Sequence, residues 1–81
     1  MAERTITITS FLEPSGVALL VQAASKFKSR ISLVIEEKTA NAKSIMGIIS
    51  LNMKEGQALN ITADGDDAAE AVQTLESFFK S

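Results

Sequence analysis

Hydrophobic residues recur along this chain at two different periods. Over Thr5-Ile6-Thr7-Ile8-Thr9 they alternate strictly, with both isoleucines on one face and β-branched threonines on the other, which predicts a half-buried strand. Ile31, Leu33 and Ile35 alternate in the same way and predict a second strand. Thr39 to Ala42 reads as a short third strand, and Leu59, Ile61 and Ala63 as a fourth. Glu36-Glu37-Lys38 joins the second and third without the Gly or Asn that a tight hairpin usually needs.

Between these segments the spacing changes to that of a helix. Val17, Leu20, Val21, Ala24 and Phe27 fall on one stripe. Pro14 marks the start, because its ring fixes φ and suits a first helical turn, and Lys28-Ser29 marks the end. Ser44, whose hydroxyl can accept from the free N–H groups of a helix start, opens a second helix that carries Ile45, Met46, Ile48, Ile49 and Leu51. Glu55-Gly56 closes that region. Gly65-Asp66-Asp67 is a turn and N-cap signal for the third helix, which buries Ala68, Ala71, Val72, Leu75, Phe78 and Phe79. Acidic residues crowd its first turn, where the helix dipole favours them.

The order is β-α-β-β-α-β-α. Each element has one apolar face, so two layers suffice, a four-stranded sheet with helices on one side. The β-α-β start calls for a right-handed crossover between the first and second strands. The second helix does not fit this scheme fully. Ile48 and Leu51 are spaced to face the sheet, whereas Ile45, Met46 and Ile49 lie together on another side. A helix on one sheet cannot bury every side, so those three are expected to form an exposed apolar surface for a partner. The plainer alternative makes the whole helix core.

Composition narrows the chemistry. The 81 residues form a single domain, 1–81, with 46% hydrophobic and 22% charged residues. There is no cysteine, histidine, tryptophan or tyrosine. Disulfides, zinc-thiolate sites, thiol chemistry and imidazole acid–base catalysis are therefore excluded, and no cofactor or metal is expected. The expected role is binding or regulation rather than catalysis. The net charge is −2, with Asp64, Asp66, Asp67, Glu70 and Glu76 against Lys80 at the C-terminal end. Lys26, Lys28 and Arg30 form a basic cluster too small for a nucleic-acid footprint and read as a solvated helix end. The longest apolar run, Val17 to Val21, is far too short to cross a bilayer. The opening Met1-Ala2-Glu3-Arg4 lacks a signal-peptide pattern, so the expected location is cytoplasmic.

Three segments carry a family resemblance. Asn41-Ala42-Lys43-Ser44-Ile45-Met46-Gly47-Ile48-Ile49-Ser50-Leu51 resembles the regulatory serine segment of the HPr family, the small phosphocarriers of the bacterial sugar phosphotransferase system, in its Gram-positive, low-GC form. Leu20-Val21-Gln22-Ala23-Ala24-Ser25-Lys26-Phe27 resembles the family's first helix, and Ala63-Asp64-Gly65-Asp66-Asp67-Ala68-Ala69-Glu70-Ala71 its last strand and helix. The resemblance implies an α+β fold, an open-faced β-sandwich whose antiparallel sheet has strand order 1-4-2-3 and carries three helices on one face.

The resemblance fails at one decisive place. The family carries its phosphoaccepting histidine in a Gly-Ile-His-Ala-Arg-Pro-like segment, where this chain reads Phe11-Leu12-Glu13-Pro14-Ser15-Gly16. Counting back from Gln22 without a gap puts Glu13 at the histidine position and Ser15 at the arginine position. Glu13 is either a dipole-favoured carboxylate at a helix start or a fixed charge that imitates phosphohistidine. With no histidine in any register, carrier chemistry is not expected. The pattern is similar to catabolite-repression HPr, a branch that also lacks the histidine and keeps the serine. It implies phosphorylation of Ser44 by HPr kinase/phosphorylase, followed by binding to a LacI-type catabolite regulator through Lys43, Ile45, Met46, Gly47 and Ile49. Three other readings remain open. In one, Ser44 only caps a helix. In the second, the protein docks to enzyme I or sugar permease domains without transferring phosphate. In the third, it is a diverged interaction module whose partners lie outside both systems.

Overall fold

A computed structural model describes residues 1–8 and 14–79, leaving aside the side chains of Pro14 and Ser15. Its elements are β1 (Ala2–Thr7), α1 (Pro14–Ser25), β2 (Arg30–Ile35), β3 (Lys38–Asn41), α2 (Ile45–Ser50), β4 (Ala58–Asp64) and α3 (Ala68–Ser77). The sheet order is β1-β4-β2-β3, with every neighbouring pair antiparallel. β1 and β2 both oppose β4, so they run parallel to each other and α1 makes the crossover between them.

Strand register puts all the alternating apolar residues on one face. Ile6 pairs with Leu59, and Leu33 lies between Ile61 on one side and Ala40 on the other. Ile31, Leu33, Ile35, Leu59, Ile61 and Ala63 are buried beneath the helices. Their outward neighbours Ser32, Val34, Asn60 and Thr62 are only half-buried, because no layer covers that side. Above the core, α1 contributes Val17, Leu20 and Ala24, and α3 contributes Ala68, Ala71, Val72 and Leu75. Phe79, just past α3, is fully buried, whereas Phe27, Phe78 and Val21 only lean against the core.

Element boundaries differ from the sequence expectation in four places. α1 ends at Ser25, ahead of the expected Lys28-Ser29, and Lys26 and Phe27 donate to the carbonyls of Ala23 and Ala24, only three residues back. β1 begins at Ala2, earlier than the Thr5 start expected from alternation. Ile8 stays buried beyond its end by exchanging backbone hydrogen bonds with Gln57 (2.9 Å) and Gly56 (2.8 Å). Thr9 lies outside the described residues. α2 stops at Ser50 instead of running on toward Glu55. Leu51 and Asn52 donate to carbonyls only three residues back, and Asn52 then turns into the left-handed region at φ 52, which asparagine tolerates better than most residues. The hairpin between β2 and β3 is a two-residue turn, Glu36-Glu37, with Lys38 already in β3.

Two acidic side chains hold elements together. Arg4 occupies an inward position of edge strand β1, opposite Ile61, and its guanidinium reaches Glu76 of α3 at 2.6 Å. Glu76, one of the acidic residues at the C-terminal end, is 8% exposed and part of the packed face. An inward charge on an edge strand also discourages pairing with another chain. Asp67 occupies the N-cap position of α3 but makes no side-chain capping bond. Its carboxylate instead accepts from the backbone N–H groups of Lys28 (2.9 Å) and Ser29 (3.0 Å) and from the Ser29 hydroxyl. This clamps the turn between α1 and β2 against the start of α3. Gly65 makes the approach feasible, since a Cβ there would lie 2.6 Å from Ser29 Oγ and 2.7 Å from Ser29 Cα. Ser29, expected as a helix terminator, is completely buried.

Glu36 sits at φ 56, a conformation that disfavours any residue with a Cβ. Glu36→Gly should stabilise the fold by roughly 0.5–1 kcal/mol, read as a higher denaturant midpoint with unchanged slope. Asp67 supplies a pH signature. Hydrogen bonds from the Ser29 hydroxyl, then from the Lys28 backbone, hold its carboxyl below the ordinary aspartate value. A depressed folded value stabilises the protein above the unfolded pKa, and this contribution is lost as pH falls through the folded one. Asp67→Asn should therefore lower the melting temperature at neutral pH. The gap to wild type should close as pH falls below about 4. A gap constant from neutral pH to pH 2 would show that ionisation of Asp67 contributes nothing.

Candidate functional site

The loop between β3 and α2 is held from several sides before it reaches Ser44. The Lys43 N–H donates to Asn41 Oδ1 (2.8 Å), and the Ser44 N–H donates to the Asn41 carbonyl (3.0 Å). This local turn is one that asparagine readily forms. Ser44 then adopts an extended conformation (φ −117, ψ 116), and its Oγ accepts from the Gly47 N–H at 3.1 Å. Its carbonyl takes the Ile48 N–H at 3.1 Å, so the capping expected of Ser44 is present in full. The hydroxyl is half-buried at the start of a six-residue helix.

α2 divides its apolar residues between two sides. Ile48 is 1% exposed, and Leu51, just past the helix, is also buried. Ile45, Met46 and Ile49 are 45%, 74% and 56% exposed and look away from the core. Gly47 is half-buried between the two sides. Leu19, 57% exposed on the neighbouring α1, belongs with the exposed apolar residues and was not anticipated. Its signal was available, because the inward stripe Val17, Leu20 and Ala24 leaves Leu19 facing outward. Lys43 is placed differently from the hydrophobic group. Its ammonium donates to the Phe27 carbonyl at 2.8 Å, tying the Ser44 loop to the same turn that Asp67 clamps. Lys26, Lys28 and Arg30 are exposed as expected, but not on a helix end: the first two lie in the turn after α1 and Arg30 opens β2. Glu13 lies outside the described residues, so its place relative to Ser44 is not part of this geometry.

This arrangement places a half-buried, helix-capping serine beside a surface of exposed aliphatic side chains. Among the described residues no group of three acidic side chains could hold a metal ion, and no helix is long and apolar enough to cross a membrane.

Residues 2–81 match the family described as PTS HPr component phosphorylation site. The chain belongs to the HPr family. HPr itself is a non-enzymatic phosphocarrier protein. The chain is 41% identical over 65 residues to phosphocarrier protein HPr of Mycoplasma capricolum, covering 80% of this chain and 73% of that protein. It superposes on phosphocarrier protein HPr from Bacillus anthracis with a TM-score of 0.91 at 36% identity, covering 98% and 96% of the two chains. It also superposes on Crh, the Bacillus subtilis catabolite repression HPr, with a TM-score of 0.66 at 32% identity over 99% and 98%. The open-faced sandwich and its strand order are thus those of HPr.

In this HPr-family chain the exposed triad gives a clear stability test. Met46→Asp should change stability by no more than about 0.5 kcal/mol, because the side chain stands in solvent. Ile48→Asp should cost several kcal/mol by burying an unpaired carboxylate, an order-of-magnitude expectation. Thermal melts of the two variants separate the faces. A collapsed Met46→Asp would place the triad in the core.

Proposed function

We propose that this protein is a regulatory member of the HPr family rather than a phosphocarrier. In this reading, HPr kinase/phosphorylase phosphorylates Ser44, and the modified protein binds a LacI-type catabolite regulator as corepressor. One observation carries the reading. The chain has no histidine at all, yet it keeps a capping serine beside a solvent-facing Ile45, Met46 and Ile49. Transfer through a phosphoimidazole needs an imidazole, while the serine segment needs only a hydroxyl, a helix start and a docking surface.

The physical chemistry supports regulation at this place. A phosphate adds roughly −1.5 to −2 charge and three acceptor oxygens. On Ser44 those oxygens lie near the first backbone N–H groups of α2, those of Ile45, Met46 and Gly47. The charge then stands next to an apolar patch. A partner that fills the patch and pairs the phosphate recognises both together, and neither feature suffices alone. In this reading Ile45, Met46 and Ile49 supply most of the contact area, supported by their exposure, while Lys43 is engaged with the Phe27 carbonyl.

A second reading is supported by the names of the relatives, which are phosphocarriers. Here the chain docks to enzyme I or sugar permease domains and transfers nothing, and Glu13 supplies the fixed charge of a permanent phosphohistidine mimic. Such a mimic would oppose binding to the catabolite regulator.

Incubation with HPr kinase and ATP should place phosphate on Ser44, located by mass spectrometry, and Ser44→Ala should remain unmodified. Incubation with enzyme I and phosphoenolpyruvate should give no acid-labile phosphoprotein and support no sugar phosphorylation. Stoichiometric phosphotransfer from enzyme I would overturn the regulatory reading. Kinase-dependent phosphate on Ser15, Thr39 or Ser50 instead would mean that the wrong hydroxyl has been chosen.

A further inference from the structure

We propose that Gly47 determines whether Ser44 can accept a phosphoryl group, because its missing side chain leaves open the space that the group enters. This inference rests on Ser44 being the modified residue and assigns a steric role to a position otherwise grouped with the docking surface.

Gly47 is a costly choice where it stands. Glycine weakens a helix relative to alanine, and α2 has only six residues to begin with. Nothing in the backbone asks for it, since Gly47 is not among the residues with positive φ. Nothing in the unmodified packing asks for it either. A Cβ at Gly47 would lie 3.4 Å from Ser44 Oγ, 3.5 Å from Ser44 Cβ and 3.6 Å from Ala40 Cβ, all ordinary contacts. Alanine therefore fits beside a hydroxyl. The methyl group would nevertheless stand directly against the one oxygen that has to react, and its other neighbour, Ala40, is buried.

The reaction raises the demand for space at that oxygen. Ser44 Oγ forms a bond to the terminal phosphorus of a nucleoside triphosphate. The bond from that phosphorus to the nucleoside diphosphate breaks, the nucleoside diphosphate leaves with the electron pair, and the hydroxyl proton passes to a base of the kinase. Phosphorus and three oxygens then need volume around Oγ that the hydroxyl hydrogen alone does not. The Gly47 N–H already engages Oγ at 3.1 Å, so the incoming group must use the remaining approaches. A methyl on Gly47 narrows them in the transition state and leaves the unmodified fold untouched.

The test is steady-state phosphorylation of the whole chain by HPr kinase with ATP, comparing wild type, Gly47→Ala and Ser44→Ala, with a thermal melt of each. Gly47→Ala should melt at or above wild type. Its kcat at Ser44 should fall roughly ten- to a hundred-fold, the scale of misplaced reacting groups, with KM for the protein unchanged. An unchanged kcat overturns the proposal while leaving Ser44 as the modified residue. A rise in KM alone overturns it too, and makes Gly47 a docking contact. A melting temperature below wild type assigns the glycine to packing. If wild type carries no phosphate on Ser44, the regulatory reading fails and this inference with it.

Discussion

The sheet is covered on one face only, and three helices must share that face. Each helix therefore has an inner side against Leu33, Ile61 and their neighbours and an outer side in water. For α1 and α3 this is unremarkable, because most of their outer residues are small or polar. For α2 it leaves the helix divided. Six residues make fewer than two turns, enough to bury Ile48 and hand the chain on to Leu51, and no more. The isoleucines and methionine left outside cost solvation, and nothing in the fold requires them. Their presence beside the capping Ser44 is what the proposed recognition rests on.

The same serine is held in place from a distance. Asp67 fastens the turn of Lys28 and Ser29 to the start of α3, and Lys43 fastens the neighbouring Phe27 carbonyl to the loop that carries Ser44. The hydroxyl thus belongs to a braced loop, with α1, β3 and α3 all contributing to its position. A braced acceptor suits modification by a kinase, because little ordering remains to be done when the partner arrives. It also means that disturbance at Asp67, far along the chain, has a physical route to Ser44.

Much of this was legible from periodicity alone. Strict alternation at Ile31, Leu33 and Ile35 and at Leu59, Ile61 and Ala63 left no other role for those segments, and the division of α2 into Ile48 and Leu51 against Ile45, Met46 and Ile49 followed from helical geometry. The Ser44 cap was equally readable, since its partner Gly47 is close in sequence. What escaped depends on contacts between distant residues. Asp67 looks like a helix cap until Ser29 is beside it. Glu76 looks like a solvated acid until Arg4 reaches across from β1. The end of α2 depends on a left-handed Asn52, which no periodicity announces. Leu19 was concealed differently, inside an apolar run whose length drew attention away from its face.

The central claim is that charge on Ser44 and the apolar side of α2 act together on one regulatory partner. Calorimetric titration of the catabolite regulator with this protein, unmodified and phosphorylated on Ser44, tests it most directly. The account predicts binding by the phosphorylated protein and none detectable by the unmodified one at the same concentrations. Equal affinity of the two forms, or no binding by either while enzyme I binds both, would contradict it.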